Sequence, residues 1–461
     1  MMRWFPEDPS AQSNPVASMS GPIPVQAGQY QTNGPFLALS TFDSHLTAEI
    51  SSDGLSMASL AAGAKTEGAA FLWSGARATH GVPSGPGSSA RPCFFEMKII
   101  EHLDVPPPAT GAPPEWARGH ARLARCGWSG PGADLHLGED RAGWGYGGTG
   151  KKSTGNSFAD YGEPFGLGDV VGCFLDPRPG CGVLLFSKNG RALGPAYTLP
   201  AHWRGPLYPH VLVKNCRCAV NFGPAPWCPP PPELQAFVPL AGLGGALAPG
   251  PRPPPPSQCE VIMMVGLPAA GKTCWVERFV EEQKSRTIYS VLGTNQIIDQ
   301  MKVPGLKRQR AYRERWDELI KLSTGVFNAL LAKAARHPRN YVIDQTNVYQ
   351  SARRRKLRPF RDAGFRTKAV VLVCSQEELG RRSARREREE GKLVPREAVD
   401  NMLVNFVLPG PNEFDEVIYS EEPREVAERT LKDAVPAARD RLRAGPAPGS
   451  GGGGGGGGRC R

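Results

Sequence analysis

At 461 residues, with 55 glycines and 46 prolines forming more than a fifth of it, the chain excludes a single large core and implies two domains with linker and tails. The eleven cysteines contain no C-x-x-C pair and no apolar run suits a secretory leader or a membrane span, so no zinc site or disulfide scaffold follows and a soluble, intracellular chain with reduced thiols is expected. The formal charge of +11 is uneven: residues 1–258 balance 18 basic against 18 acidic side chains, residues 259–443 carry 35 against 26, and Arg459 and Arg461 supply the rest.

In chain order, residues 1–35 are rich in Pro, Ser, Gly and Gln without helical or strand periodicity and are expected to be disordered. Residues 36–224 alternate short β-type runs with Gly, Pro, Asn and Asp. The runs are Cys93–Ile100, Ala121–Trp128, Asp169–Leu175, Val183–Lys188 and Ala219–Phe222, a spacing that predicts an antiparallel β-sandwich. Asn189-Gly190 closes one hairpin with a type I′ turn, because both residues tolerate positive φ. No charged pair or metal cluster stands out in this half. Residues 225–257, bracketed by Pro229–Pro232 and Pro253–Pro256, read as an interdomain linker with stiff polyproline ends.

From residue 258 the pattern changes. Val261–Val265 is a continuous apolar strand, Lys272–Gln283 a helix, and Tyr341–Ile343 and Ala369–Val373 are further buried strands, which predicts an α/β domain with a parallel sheet over residues 258–443. Between strand and helix lies Gly266-Leu267-Pro268-Ala269-Ala270-Gly271-Lys272-Thr273, which fits G-x-x-x-x-G-K-[ST]. The glycines let backbone N–H groups curl around phosphates, Lys272 neutralises the β and γ oxygens, and Thr273 is placed to hold Mg²⁺. The cofactors expected are ATP and Mg. Asp344 follows an apolar strand, where it could orient Mg²⁺, a water or an arginine; a helix N-cap is its plainer reading. Thr346 and Asn347 fit turn and cap roles equally well.

Residues 301–400 hold 25 basic and 12 acidic side chains, which suits a phosphate-rich partner or simply a solvated helical surface. Two clusters stand out. Arg353, Arg354, Arg355 and Lys356 form the first, and Arg381, Arg382, Arg385 and Arg386 the second, on a helix placed where small P-loop kinases carry a lid; both are candidate lid or RNA-contacting groups. The tail from residue 444, with eight consecutive glycines, cannot bury a core and is expected to be disordered.

Over about residues 36–433 the chain resembles the heterogeneous nuclear ribonucleoprotein U family. The first half resembles its SPRY (B30.2) domain through Phe71-Leu72-Trp73, Phe94-Phe95-Glu96-Met97-Lys98, Gly127-Trp128-Ser129, Gly143-Trp144-Gly145-Tyr146-Gly147, Asp160-Tyr161-Gly162-Glu163, Gly168–Cys173, Lys188-Asn189-Gly190 and Tyr208-Pro209-His210-Val211. The second half resembles its kinase-like domain through the phosphate loop, Leu292-Gly293-Thr294-Asn295, Asp344-Gln345-Thr346-Asn347, Arg354-Arg355-Lys356, Asn405-Phe406 and Phe414-Asp415-Glu416. The resemblance implies a nuclear, RNA-binding protein, with DNA as another nucleic-acid partner and a protein partner for the SPRY-like domain. The family's N-terminal SAP segment is not matched, and its Arg-Gly-Gly region is reduced to a glycine run with Arg459 and Arg461.

The second half also resembles polynucleotide 5′-hydroxyl kinases, which place an Asp general base after the second strand; here Asn295 aligns with it. A neutral amide accepts no proton, and losing a positioned base costs on the order of 10² to 10⁴ in rate. Nucleotide binding without efficient kinase turnover is therefore expected. An active polynucleotide kinase or ATPase, and a SPRY adaptor with a vestigial loop, are the alternatives.

Overall fold

The computed structural model describes residues 36–444 except 64–66, 86–87, 89, 106–120, 179–181, 284–286, 302–307 and 391–393, and of residues 308–318 and 390 the backbone alone. The expected tail at 1–35 lies outside the described residues, as does the one expected from 444 except for Ala444, which ends a helix.

The first half is a sandwich of a seven-stranded and an eight-stranded sheet. Alternation drives it: the strand Cys216–Asn221 turns every second residue inward, and Val170–Asp176, central in its sheet, is buried throughout. Between the sheets Phe95 meets Trp128 edge to face at 5.2 Å. The Asn189-Gly190 turn joins Lys188 to its partner Arg191 with φ of 50° and 80°, the left-handed pair that a type I′ hairpin requires.

Residues 225–257 do not run free between the domains. Val238–Pro239 pairs in parallel with Cys93–Phe94, Ala248–Pro249 pairs with His80–Gly81, and the Glu96 carboxylate accepts the Trp227 and Cys228 backbone N–H groups. The expected linker thus packs as part of the sandwich. The apolar residues Leu240, Leu243 and Leu247 explain this, since all three are buried in its core.

The second half has five parallel strands, β1 (Glu260–Val265), β2 (Tyr289–Leu292), β3 (Asn340–Ile343), β4 (Arg366–Val371) and β5 (Glu416–Tyr419), in the order β2-β3-β1-β4-β5. The helices are α1 (Lys272–Gln283), α2 (Thr294–Met301), α3 (Arg308–Ala334), α4 (Gln350–Asp362), α5 (Gln376–Glu390), α6 (Arg396–Val404) and α7 (Arg424–Ala444). β1 is almost wholly buried, as a strand covered on both faces must be.

The two halves share one core. Leu46, Leu60, Ala69, Phe71 and Leu72 of the sandwich are buried in the same cluster as Ile297, Leu322 and Val326 of α2 and α3. Gly68 permits the approach, because a Cβ there would stand 2.7 Å from the Leu322 carbonyl oxygen. At the edge Arg339 donates to the carbonyls of Ser44 and Thr41, each at 2.9 Å, and Lys333 pairs with Glu49 at 2.9 Å. Among the described residues no helix is long and apolar enough to cross a membrane.

Candidate nucleotide-binding site

The loop leaves β1 at Gly266 and enters α1 at Lys272, where the first N–H groups of a helix lack partners and favour an anion. Its two glycines are needed for different reasons. A Cβ on Gly266 would stand 2.5 Å from the Leu372 carbonyl oxygen, whereas Gly271 sits at φ +99°. Between them Ala269 also adopts a left-handed φ of 63°, while Leu267, Pro268 and Ala270 are buried.

Lys272 is buried and its Nζ donates to the Leu267 carbonyl at 2.6 Å, which folds the ammonium back over the loop. Burial pushes it down to about 8, against the pull of Asp344 and with a further push from Arg386. Thr273 Oγ1 donates to Asp344 Oδ2 at 2.8 Å, so the loop hydroxyl and the carboxylate at the end of β3 meet across adjacent strands. These are hard oxygen donors of the kind Mg²⁺ takes alongside phosphates. Gln296 on α2 donates Nε2 to the same Asp344 oxygen at 3.2 Å, and its buried Oε1 has no partner. The sequence reading missed Gln296 and singled out Asn295, which lies half-buried one residue earlier. A pattern match could not choose between two neighbouring amides, because the direction of each side chain is set by how α2 packs.

The basic clusters divide. Arg353 is fully buried and forms a two-pronged pair with Glu413, Nε to Oε1 at 2.8 Å and Nη2 to Oε2 at 2.9 Å, while Nη1 donates to the carbonyls of Asn347, Val348 and Val407. Each nitrogen of the guanidinium donates inside the protein and the side chain is fully buried, so in this structure Arg353 offers nothing to phosphate or RNA, contrary to expectation. Lys356 is turned inward as well, to Asn347 Oδ1 at 2.8 Å and to Gln345 Oε1, and burial pushes it down to about 8. Asn347, with φ of 46°, itself donates to the Met264 carbonyl of β1 at 2.8 Å. Arg354 and Arg355 are exposed.

On α5, Arg382 leans onto the phosphate loop and donates to the Ala270 carbonyl at 2.8 Å. Arg386 is half-buried on the same helix, Arg381 pairs with Glu378, and Arg385 pairs with Glu389.

The sandwich also holds polar groups that the sequence did not reveal. Arg77 and Asp43 form a buried pair at 2.7 Å, and potential ligand atoms of His45, Asp134 and His136 lie within 4.8 Å of one another. His45 Nδ1 accepts the Gly75 N–H at 3.0 Å, so the neutral ring keeps its proton on Nε2 and offers no lone pair to an ion.

The chain matches the family model of the SPRY domain over residues 115–225 and that of an AAA domain over residues 261–409. It is 36% identical to heterogeneous nuclear ribonucleoprotein U-like protein 2 of Mus musculus over 77% of its own length, and equally to that of Homo sapiens. It spans 46% of those relatives' length. The ATP-dependent RNA helicase Ddx1 of Drosophila melanogaster is 33% identical over 48% of this chain and 28% of the helicase. With a SPRY domain leading into an AAA-type P-loop domain, the chain is a relative of the heterogeneous nuclear ribonucleoprotein U-like proteins.

Proposed function

We propose that this chain binds Mg·ATP at residues 266–273 without efficient phosphoryl transfer, and serves as a nuclear, RNA-associated ribonucleoprotein scaffold whose SPRY domain contacts protein partners. The observation that carries the nucleotide reading is the convergence of Lys272, Thr273 and Asp344 at the mouth of a glycine-bounded loop opening a helix. Lys272 would meet the β and γ phosphates, and Thr273 and Asp344 would hold Mg²⁺, which when bound neutralises charge on the phosphates. Weak turnover is supported by the amides Asn295 and Gln296, since neither side chain can take a proton as a general base would. RNA association and a nuclear site of action are supported by the names of the ribonucleoprotein and RNA helicase relatives.

Calorimetry of the full chain with Mg·ATP tests this. Lys272→Ala should abolish binding, and phosphate release and 5′-end labelling should stay near background. Unchanged affinity in Lys272→Ala overturns the site. Labelling that vanishes in the same variant replaces the scaffold with a kinase, and a wild-type chain that binds no nucleotide leaves a SPRY adaptor.

A further inference from the structure

Arg382 rests on the phosphate loop, held between the carboxylates of Glu378 and Glu421. Its Nη1 donates to the Ala270 carbonyl at 2.8 Å and to Glu421 Oε1 at 2.9 Å, and its Nε donates to Glu378 Oε1 at 2.6 Å. Glu421 lies between β5 and α7, and its Oε1 is 3.6 Å from where a Cβ on Gly271 would stand. Arg382 Nη1 is nearer still, 3.2 Å from the same point, so the carboxylate and the guanidinium meet the glycine that shapes the loop as a pair.

Sheet order places the pair relative to Asp344. β1 has β3 with Asp344 on one side and β4 then β5 on the other. Asp344 thus meets the loop at Thr273 from one side, and the Arg382–Glu421 pair meets it at Ala270 and Gly271 from the other. The side chains of Arg382, Glu378 and Glu421 are 29%, 26% and 30% exposed, so these are ion pairs of surface strength that a polyphosphate can displace. Hydrogen bonds from Arg381 and Arg382 hold the Glu378 carboxyl down to about 2, so it stays ionised at neutral pH.

We propose that Glu421 is the positioning residue that sets triphosphate affinity at this loop, by latching Arg382 against Ala270 until phosphate oxygens take the guanidinium from Glu421 and Glu378. The proposal rests on residues 266–273 being a nucleotide site. Glu421 then lowers affinity for phosphates and not for the nucleoside, and it acts only through Arg382.

The test is calorimetric titration of the full chain with Mg·ATP and with adenosine, for the wild type, Glu421→Gln, Arg382→Gln and the double variant. Glu421→Gln should bind Mg·ATP roughly fivefold more tightly, the scale of one partly exposed ion pair, with adenosine affinity unchanged. Arg382→Gln should weaken Mg·ATP binding, and in that background Glu421→Gln should have no effect. Unchanged or weaker Mg·ATP binding in Glu421→Gln overturns the latch. So does a gain that persists without Arg382, because Glu421 would then repel phosphate directly, and so does an equal gain for adenosine. Glu421→Ala should repeat the gain if the glutamine variant loses thermal stability. A wild-type chain that binds no Mg·ATP removes the nucleotide reading itself, an outcome distinct from failure of the latch.

Discussion

Arg353 shows how one side chain can look like a ligand contact and be a piece of the core. It is a cation in a basic run, yet it is fully buried and its partner Glu413 is 4% exposed, so removing either leaves an uncompensated charge inside the protein. Arg353→Ala should therefore destabilise the fold by about 3 to 5 kcal/mol, read as a lower urea midpoint; full stability with lost RNA affinity would return it to the surface. Burial opposes ionisation of Glu413, but the guanidinium outweighs it and holds the carboxyl below its ordinary value. Its contribution is present above the unfolded carboxylate pKa and is lost as pH falls through the folded one.

The half-buried His45 and the buried His210 of the sandwich follow the same sign. Burial, with His136 adding to it, holds His45 well below its ordinary value; burial and then Arg77 do the same for His210. Both stay neutral when folded, so only the unfolded chain takes up these protons as pH drops below about 6.5. Unfolding free energy should fall between pH 7.5 and 5.5, and His210→Asn, if it folds, should flatten that fall. A midpoint independent of pH over this range would contradict the burial argument.

At the scale of the element, α4 splits its basic run by helical geometry. Arg353, Leu357 and Phe360, spaced four and three apart, make the buried face, and Arg354 and Arg355 point outward. If this helix meets RNA, changing Arg354 and Arg355 together to Gln should flatten the log-log salt dependence by about 0.7 for each phosphate no longer neutralised. Lys356→Gln should lower stability and leave the slope intact. An unchanged slope in the Arg354 and Arg355 pair would remove α4 from the RNA surface. Eight of the strands, β1, β3 and β4 among them, and α1 were legible in the sequence because their apolar runs and the Asn189-Gly190 turn are local signals, whereas β2 and β5 carry no comparable run. Val238–Pro239 and Ala248–Pro249 were not, since two-residue strands in proline-rich sequence carry no periodicity and form only where a sheet edge receives them.

For the whole molecule, the shared core predicts that SPRY and P-loop domains unfold together. Separating them would expose Leu46, Leu60, Phe71 and Leu72, so calorimetry of residues 36–444 should show one cooperative transition; two resolved transitions would mean that the contact does not couple them. Arg339→Ala removes two hydrogen bonds from a charged donor to sandwich carbonyls and should cost about 2 kcal/mol or more. A SPRY fragment cut at residue 224 would lack Leu240 and Leu247 from its own core, and one cut near residue 250 is expected to be the more stable of the two.

By itself the sequence determined the two fold classes, their order, and the phosphate loop with Lys272, Thr273 and Asp344, because β alternation, a strand-to-helix glycine loop and an acid after an apolar strand are readable within a few residues. Tertiary structure alone decided which charges face inward, which amide meets Asp344, and that the two domains share a core. Those outcomes depend on partners far along the chain, Glu413 for Arg353, Glu421 for Arg382 and Ser44 for Arg339, and no local pattern specifies a partner that only packing brings near.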